Sequence, residues 1–224
     1  MAKLIVIEGT DCSGKETQAN LLIERLKKDN IKIENLSFPM YNTPTGKIVG
    51  GPYLGKSHIS EGWFPEGAPN VDPKVSALYY AADRKYNEHK ITELLEKGYN
   101  VLLDRYVESN VAHQGSKLHT KKERLEMYKW LKTLEYDLIG LPKPDLTVFL
   151  HMPYQYAIEL KKNRTESADQ NEASEEHLKN AEKAYLELAE LYDFKKVSCI
   201  KNGTIKSIEE IHEEVYSLIK DVSF

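Results

Sequence analysis

Cysteine is scarce: two residues in 224, Cys12 and Cys199. That excludes a cysteine-based metal cluster and a disulfide scaffold, and it fits a reduced, cytosolic protein. No apolar run approaches the roughly 18 residues of a membrane span. The chain enters an apolar stretch almost at once, without the pattern of a signal peptide. Neither charge sign dominates: 31 Lys and Arg face 35 Asp and Glu, for a net charge of −4. The overall balance therefore gives no electrostatic case for nucleic acid. There is no internal repeat and no long linker. At 41% hydrophobic and 29% charged, a chain of this length suits one compact α/β domain over residues 1–224.

What is present is organised around Gly9-Thr10-Asp11-Cys12-Ser13-Gly14-Lys15-Glu16-Thr17. The apolar run Leu4-Ile5-Val6-Ile7 precedes this turn and a helical pattern, Gln18 to Lys28, follows it. Strand, glycine-rich turn and helix are the context in which G-x-x-x-x-G-K binds a nucleotide phosphate chain. The glycines let backbone N–H groups close around an anion, and the helix adds the positive end of its dipole. Lys15 is a movable charge for the outer phosphates. One position breaks the rule. The residue after the lysine should carry a magnesium-ligating hydroxyl, and it is Glu16.

Further along, apolar periodicity predicts strands over 3–8, 31–38, 100–104, 146–150 and 196–200, alternating with helices. That alternation implies a mostly parallel sheet with helices on both faces. Residues 40–71 hold so many Gly and Pro that they form no single long element, and a loop-rich stretch of this kind inside a domain lines a site. A short helix over 45–49 fits within it. Asp72-Pro73 caps the next helix, which Gly98 ends. One amphipathic helix is expected over 120–139. Ser207-x-x-Glu210 is a capping box opening the last helix. Residues 165–175 are polar and acidic, as a mobile segment would be.

Asp104 ends a buried apolar strand. In a phosphate-loop fold such a carboxylate emerges beside the phosphates, where it can hold magnesium, directly or through water. Arg105 beside it can neutralise a transferring phosphoryl group.

With these residues in place the chain resembles the thymidylate kinases. The resemblance rests on Gly9-Thr-Asp11-Cys-Ser-Gly14-Lys15, Phe38-Pro39, Asp83-Arg84, Pro144-Asp145 and, most specifically, the stretch from Asp104-Arg105-Tyr106 through Ser109-Asn110 to Gln114. It implies a three-layer phosphate-loop kinase fold with a five-stranded parallel sheet and a mobile lid over about 161–176. It implies transfer of the ATP γ-phosphate to dTMP with Mg2+, giving dTDP for dTTP synthesis, by a homodimer. It carries ATP phosphate binding to Gly9, Asp11, Cys12, Ser13, Gly14, Lys15, Glu16 and Thr17, and catalytic roles to Lys15, Arg105 and Arg164. For dTMP it points to Asp11 at the sugar, Arg105 at the phosphate, Tyr80 stacked on the base, Arg84 on O4, Asn110 at the base edge, and Gln114, Phe38 and Tyr41 nearby. Tyr80 and Arg84 stand four apart on one helix face, with Tyr79 as a rival aromatic.

Three positions depart from the family pattern. Met40 stands where many members place an arginine facing the monophosphate, with Tyr41 next to it. His113 replaces an aromatic. Arg164 is the only arginine in a lid that elsewhere carries several. Two other readings stay open on sequence: another nucleoside or nucleotide kinase, acting on a deoxynucleoside or on UMP/CMP, and a weakly catalytic nucleotide-binding protein.

Overall fold

Strand β1, Leu4–Gly9, is buried along its whole length. Leu4 and Val6 join one cluster of buried side chains, and Ile5 and Ile7 join another. The same split recurs in β3 (Asn100–Asp104), where Val101 and Leu103 oppose Leu102. In β4 (Leu146–His151), Phe149 opposes Val148 and Leu150. Strands apolar on both faces need a helical layer on each side. With β2 (Ile33–Ser37) and β5 (Lys195–Ser198) they make a five-stranded sheet of order β2-β3-β1-β4-β5, parallel at every pairing. The computed structural model describes residues 2–162, 175–220 and 222.

On one face lie α1 (Lys15–Lys28), α6 (Tyr154–Lys162) and α8 (Ile208–Lys220), contributing among others Leu22, Ala157 and Val215. On the other lie α3 (Pro73–Glu96), α4 (Val107–Gly115), α5 (Lys121–Lys132) and α7 (Glu175–Leu191), contributing Ile91, Val111, Tyr128 and Tyr185. The caps follow the sequence. Asp72 accepts from the N–H groups of Lys74 and Val75, and Gly98 takes φ 79° after α3. Ser207 and Glu210 cap α8 reciprocally, at 2.9 and 3.1 Å.

Three segments differ from expectation. The helix expected over 120–139 ends as α5 at Lys132 and continues as a wider π-type turn, Thr133–Leu138. The widened turn holds Glu135 and Tyr136 in the interior. The irregular stretch contains α2 (Pro44–Ile48), a π-type turn (Val49–Tyr53) and its own small core of Val49, Tyr53, Leu54, Ala68 and Val71. The Lys117 ammonium ties this core down by donating to the carbonyls of Ala68 and Val71 and to Ser76 Oγ. Finally, β6 (Ile200–Lys201) and β7 (Thr204–Ile205) form a hairpin around Asn202-Gly203, both at positive φ. An Asn-Gly pair is the preferred tight hairpin turn, a signal the strand reading passed over.

β1 is flanked by β3 on one side and β4 on the other, so chain connections diverge from it. In open parallel sheets, ligands bind at the carboxyl ends of strands beside such a switch point.

Candidate active site

The chain leaves β1 into a tight turn that only small residues allow. A Cβ on Gly9 would stand 2.5 Å from Ser13 Oγ and 2.8 Å from the Leu150 carbonyl oxygen. Gly14 takes φ 78°, the left-handed region, and hands over to α1 at Lys15. The first N–H groups of α1 thus open onto the turn. Lys15 folds back over it, its Nζ donating to the carbonyls of Gly9 and Thr10, each at 3.0 Å. Burial, and then the Arg105 cation, push the Lys15 ammonium down to about 8. Asp11, Cys12, Gly14, Lys15, Glu16 and Thr17 line a cavity of about 220 Å3 that Asp104 and Arg105 complete. Among the described residues, Asp104 Oδ1 is buried with no hydrogen-bond partner, as is Ser13 Oγ. Glu16 and Thr17 are exposed at the mouth.

A second cavity adjoins the first. Phe38, Tyr41, Tyr80, Arg84, Asn110 and Gln114 line it, with Pro39, Tyr106, Ser109 and His113. Arg105 belongs to the walls of both cavities. The second is a narrow slot of about 80 Å3 as it stands, so a nucleotide entering it must part its walls.

Between the cavities Asp11 receives Arg105 Nη2 at 3.4 Å and Lys161 Nζ at 3.5 Å. Burial alone would raise the Asp11 carboxyl. Arg105 first, then His113, Lys15 and Lys161, outweigh it and hold the group far below the usual carboxylate range. Burial works against the Arg105 charge, but Tyr185, Asp11, Asp104 and Glu8 more than offset it, so the guanidinium stays cationic.

The wall of the slot is built on Glu135, which sequence reasoning missed. Its oxygens take Arg84 Nε at 2.5 Å and Nη2 at 2.6 Å, and Asn110 Nδ2 at 2.9 Å. Asn110 Nδ2 also donates to the Ala77 carbonyl at 3.1 Å. This fixes the amide with Oδ1 buried and unpartnered among the described residues, and Gln114 Oε1 is in the same condition. Arg84 Nη1 reaches the Tyr106 carbonyl at 3.4 Å. Glu135 was invisible because only the widened turn after α5 brings it inward.

Of the two rival aromatics, Tyr80 is the one at the slot; Tyr79 stacks on Tyr53 at 6.0 Å and meets Phe64. Met40, at the position where the family pattern has an arginine, packs inward. Its side chain is 7% exposed within the core, and Tyr41 is the residue that reaches the slot. Asp83 holds this turn, its Oδ2 accepting from Met40 N at 2.9 Å and its Oδ1 from Thr45 Oγ1 at 2.8 Å. His113 stacks on His177, with 3.3 Å between Nδ1 and Nε2, and burial, then His177 and Arg105, push its pKa well down. Arg164, with most of the expected lid, lies outside the described residues. A second missed residue is Glu8, in β1. Its Oε1 accepts from Tyr106 N and Ser109 N at 2.8 and 3.1 Å, and its Oε2 from Ser109 Oγ and Tyr185 OH at 2.6 and 3.0 Å. A carboxylate in the apolar run Leu4-Ile5-Val6-Ile7-Glu8 was a readable sign of it.

Among the described residues no three His, Cys, Asp or Glu side chains converge as a metal cage, and no helix is long and apolar enough to cross a membrane.

Comparison with known proteins agrees with this geometry. The family model described as thymidylate kinase matches residues 7–215. A thymidylate kinase of Schizosaccharomyces pombe is 30% identical over 221 residues, covering 99% of this chain and 93% of that protein. The human thymidylate kinase is 29% identical, covering 97% and 90%. Among solved structures, a thymidylate kinase from Candida albicans superposes with a TM-score of 0.74 at 25% identity, over 98% of this chain and 92% of that one. On the match across nearly its whole length, this chain belongs to the thymidylate kinase family.

Proposed function

We infer that the two cavities are the donor and acceptor halves of one phosphoryl-transfer site, and that the chain moves the γ-phosphate of ATP to dTMP, giving dTDP. The observation that carries this reading is the pattern of polar atoms in the slot. Arg84 offers a donor, and the buried Asn110 Oδ1 and Gln114 Oε1 are acceptors without partners among the described residues. Thymine presents a matching edge: O4 accepts and N3–H donates. Cytosine presents an amino donor to Arg84 and a bare ring nitrogen to the amide oxygens, which leaves buried groups unpaired at about 1–3 kcal/mol each.

In this assignment the phosphate turn and Lys15 hold the ATP phosphates, and Asp11 takes the acceptor sugar hydroxyl. Tyr80 covers the base face. Arg105, lining both cavities, bridges the donor and acceptor phosphates. The acceptor is an anionic phosphate oxygen, so transfer needs alignment and charge neutralisation rather than a general base. Arg164 is the proposed second clamp on the transferring group. Asp104 Oδ1, unpartnered among the described residues and beside Lys15, fits one ligand or water contact to Mg2+, which would enter with ATP and neutralise phosphate charge. Glu16 stands exposed at the cavity mouth, where a water-bridged contact to the ion is open to it.

Cys12 and Cys199, neither in a disulfide, suit the cytoplasm. Exposed Val75, Leu78 and Tyr86 along α3 support a homodimer that would cover them. The deciding experiment is an acceptor panel with ATP. Conversion of dTMP should exceed that of dCMP, UMP and thymidine by at least two orders of magnitude in kcat/KM. Equal use of dCMP would overturn the reading of the slot.

A further inference from the structure

A cleft larger than either catalytic cavity, about 580 Å3, lies elsewhere in the fold. It is framed by the end of α5 and its π-type turn, the start of β4, and the corner between α7 and β5. The starts of β4 and β5 mark the amino-terminal edge of the sheet, opposite the edge that carries the phosphate turn. Nothing in the proposed reaction uses it. Its volume falls in the range of small-molecule sites.

Two features of its wall bear on what it could hold. The first is Glu108, whose side chain is 3% exposed at the cleft wall. Its Oε1 receives the Tyr136 hydroxyl at 2.6 Å, while Oε2 has no partner among the described residues. A buried carboxyl oxygen without a partner is costly unless a ligand completes it. Burial, and then Glu8, raise this carboxyl, which favours its neutral form. The second feature is charge. Asp137 is paired with Lys143 at 3.4 Å, Asp193 with Lys195 at 2.7 Å, and Asp145 with Lys3 at 3.0 Å. That leaves Lys129 and Lys132 without an ion pair among the described residues. Lys132 Nζ lies instead over the Tyr192 ring, 3.5 Å from its centroid, and 5.5 Å from that of Tyr136. A cation resting on ring faces is only partly compensated, and it can turn to an anion. Tyr136, Tyr192 and Phe194 supply flat apolar walls.

We propose that this cleft is a second ligand site, for a small polyanion carrying a flat heterocycle, the class that includes nucleoside triphosphates. Lys129 and Lys132 take its phosphates, the aromatic walls take its ring, and Glu108 Oε2 meets a polar atom on that ring. The wall towards the acceptor slot is thin: Tyr136 meets Tyr106 at 6.4 Å between ring centroids, and Tyr106 lines the slot.

The test is calorimetry on protein whose catalytic cavities are filled with a non-hydrolysable adenosine–thymidine bisubstrate polyphosphate. The probes are dTTP and inorganic tripolyphosphate. One further equivalent of dTTP should bind, and tripolyphosphate should bind the same site at least tenfold more weakly. Lys129→Gln/Lys132→Gln should weaken dTTP binding at least tenfold while turnover stays at the wild-type value. Absence of binding by dTTP at millimolar concentration would overturn the proposal, as would equal binding to the double variant. Tripolyphosphate binding as tightly as dTTP would remove the ring from it.

Discussion

The buried pair of Arg84 and Glu135 offers the sharpest separation of fold from specificity. Arg84 is 3% exposed and Glu135 0%, and two short hydrogen bonds join them. Burial works against the Arg84 cation, and Glu135 more than offsets it, so the guanidinium stays cationic. Glu135→Gln keeps the shape but replaces one acceptor oxygen with an amide N–H2 aimed at existing donors. Removing one partner of a buried ion pair costs about 3–5 kcal/mol. At this chain length that lowers the melting temperature by about 10 °C. Arg84→Met strands Glu135 in the same way, though Asn110 still donates to it. The cycle closes with Glu135→Leu as the second single variant and the double variant Arg84→Met/Glu135→Leu, which removes both charges. It should be more stable than either single variant, with a coupling energy of about 3 kcal/mol in the cycle. Acceptor choice should not recover with stability. Each variant, the double included, should lose at least tenfold in the kcat/KM ratio of dTMP over dCMP, because the donor to the base edge is gone or misplaced. Thermal unfolding and initial rates on the two acceptors read both quantities. Additive stabilities, or a double variant that still prefers dTMP as wild type does, would refute the reasoning.

Three more outcomes test the phosphate half. Arg105→Ala should lower the rate of dTDP formation by about 10²–10³, on the order of 3 kcal/mol, with little loss of fold; a wild-type rate would remove Arg105 from the reaction. In the free protein Lys15 titrates at about 8, below the ordinary lysine value, so between pH 8 and about 10 it is largely neutral. A polyphosphate bound against it favours the charged form, so ATP binding at pH 9 should take up a proton. Calorimetry in two buffers of different ionisation enthalpy measures this, and equal heats would contradict it. Glu16→Ser should keep or raise turnover, since Glu16 is exposed at the mouth and a hydroxyl there can ligate magnesium directly; a large loss would give Glu16 a role of its own.

The strands were legible because a parallel sheet buried on both faces writes itself as continuous apolar runs. The caps at Asp72 and Ser207 were legible because they are local chemistry. Most slot residues were named through the family pattern on α3 and α4, and the fold brings those positions together. What was not legible depends on partners far away in sequence. Glu135 looks like one more charged residue of an amphipathic helix until the turn widens. The side-chain phase after Phe38-Pro39 has no periodicity to read, so Met40 and Tyr41 could not be told apart as core and slot. Asn202-Gly203 did carry a hairpin signal, and it was the strand boundary that hid it.

Glu8 explains how a strained turn is kept at the centre of the site. Arg105 has φ 65°, a left-handed conformation that costs a non-glycine residue on the order of 1 kcal/mol. Its own N–H is held by the Ile7 carbonyl at 3.1 Å. The next N–H, of Tyr106, and that of Ser109 in the first turn of α4, both go to Glu8 Oε1. The carboxylate therefore caps α4 from a strand 98 residues away. Four donors occupy its two oxygens, so the buried group is not left unsatisfied. The backbone of β1 thus carries the phosphate turn at its end and, one residue earlier, the anchor that fixes where Arg105 points. In the proposed assignment a single strand holds the donor and acceptor halves in register, which is what in-line transfer between two phosphates requires of a fold.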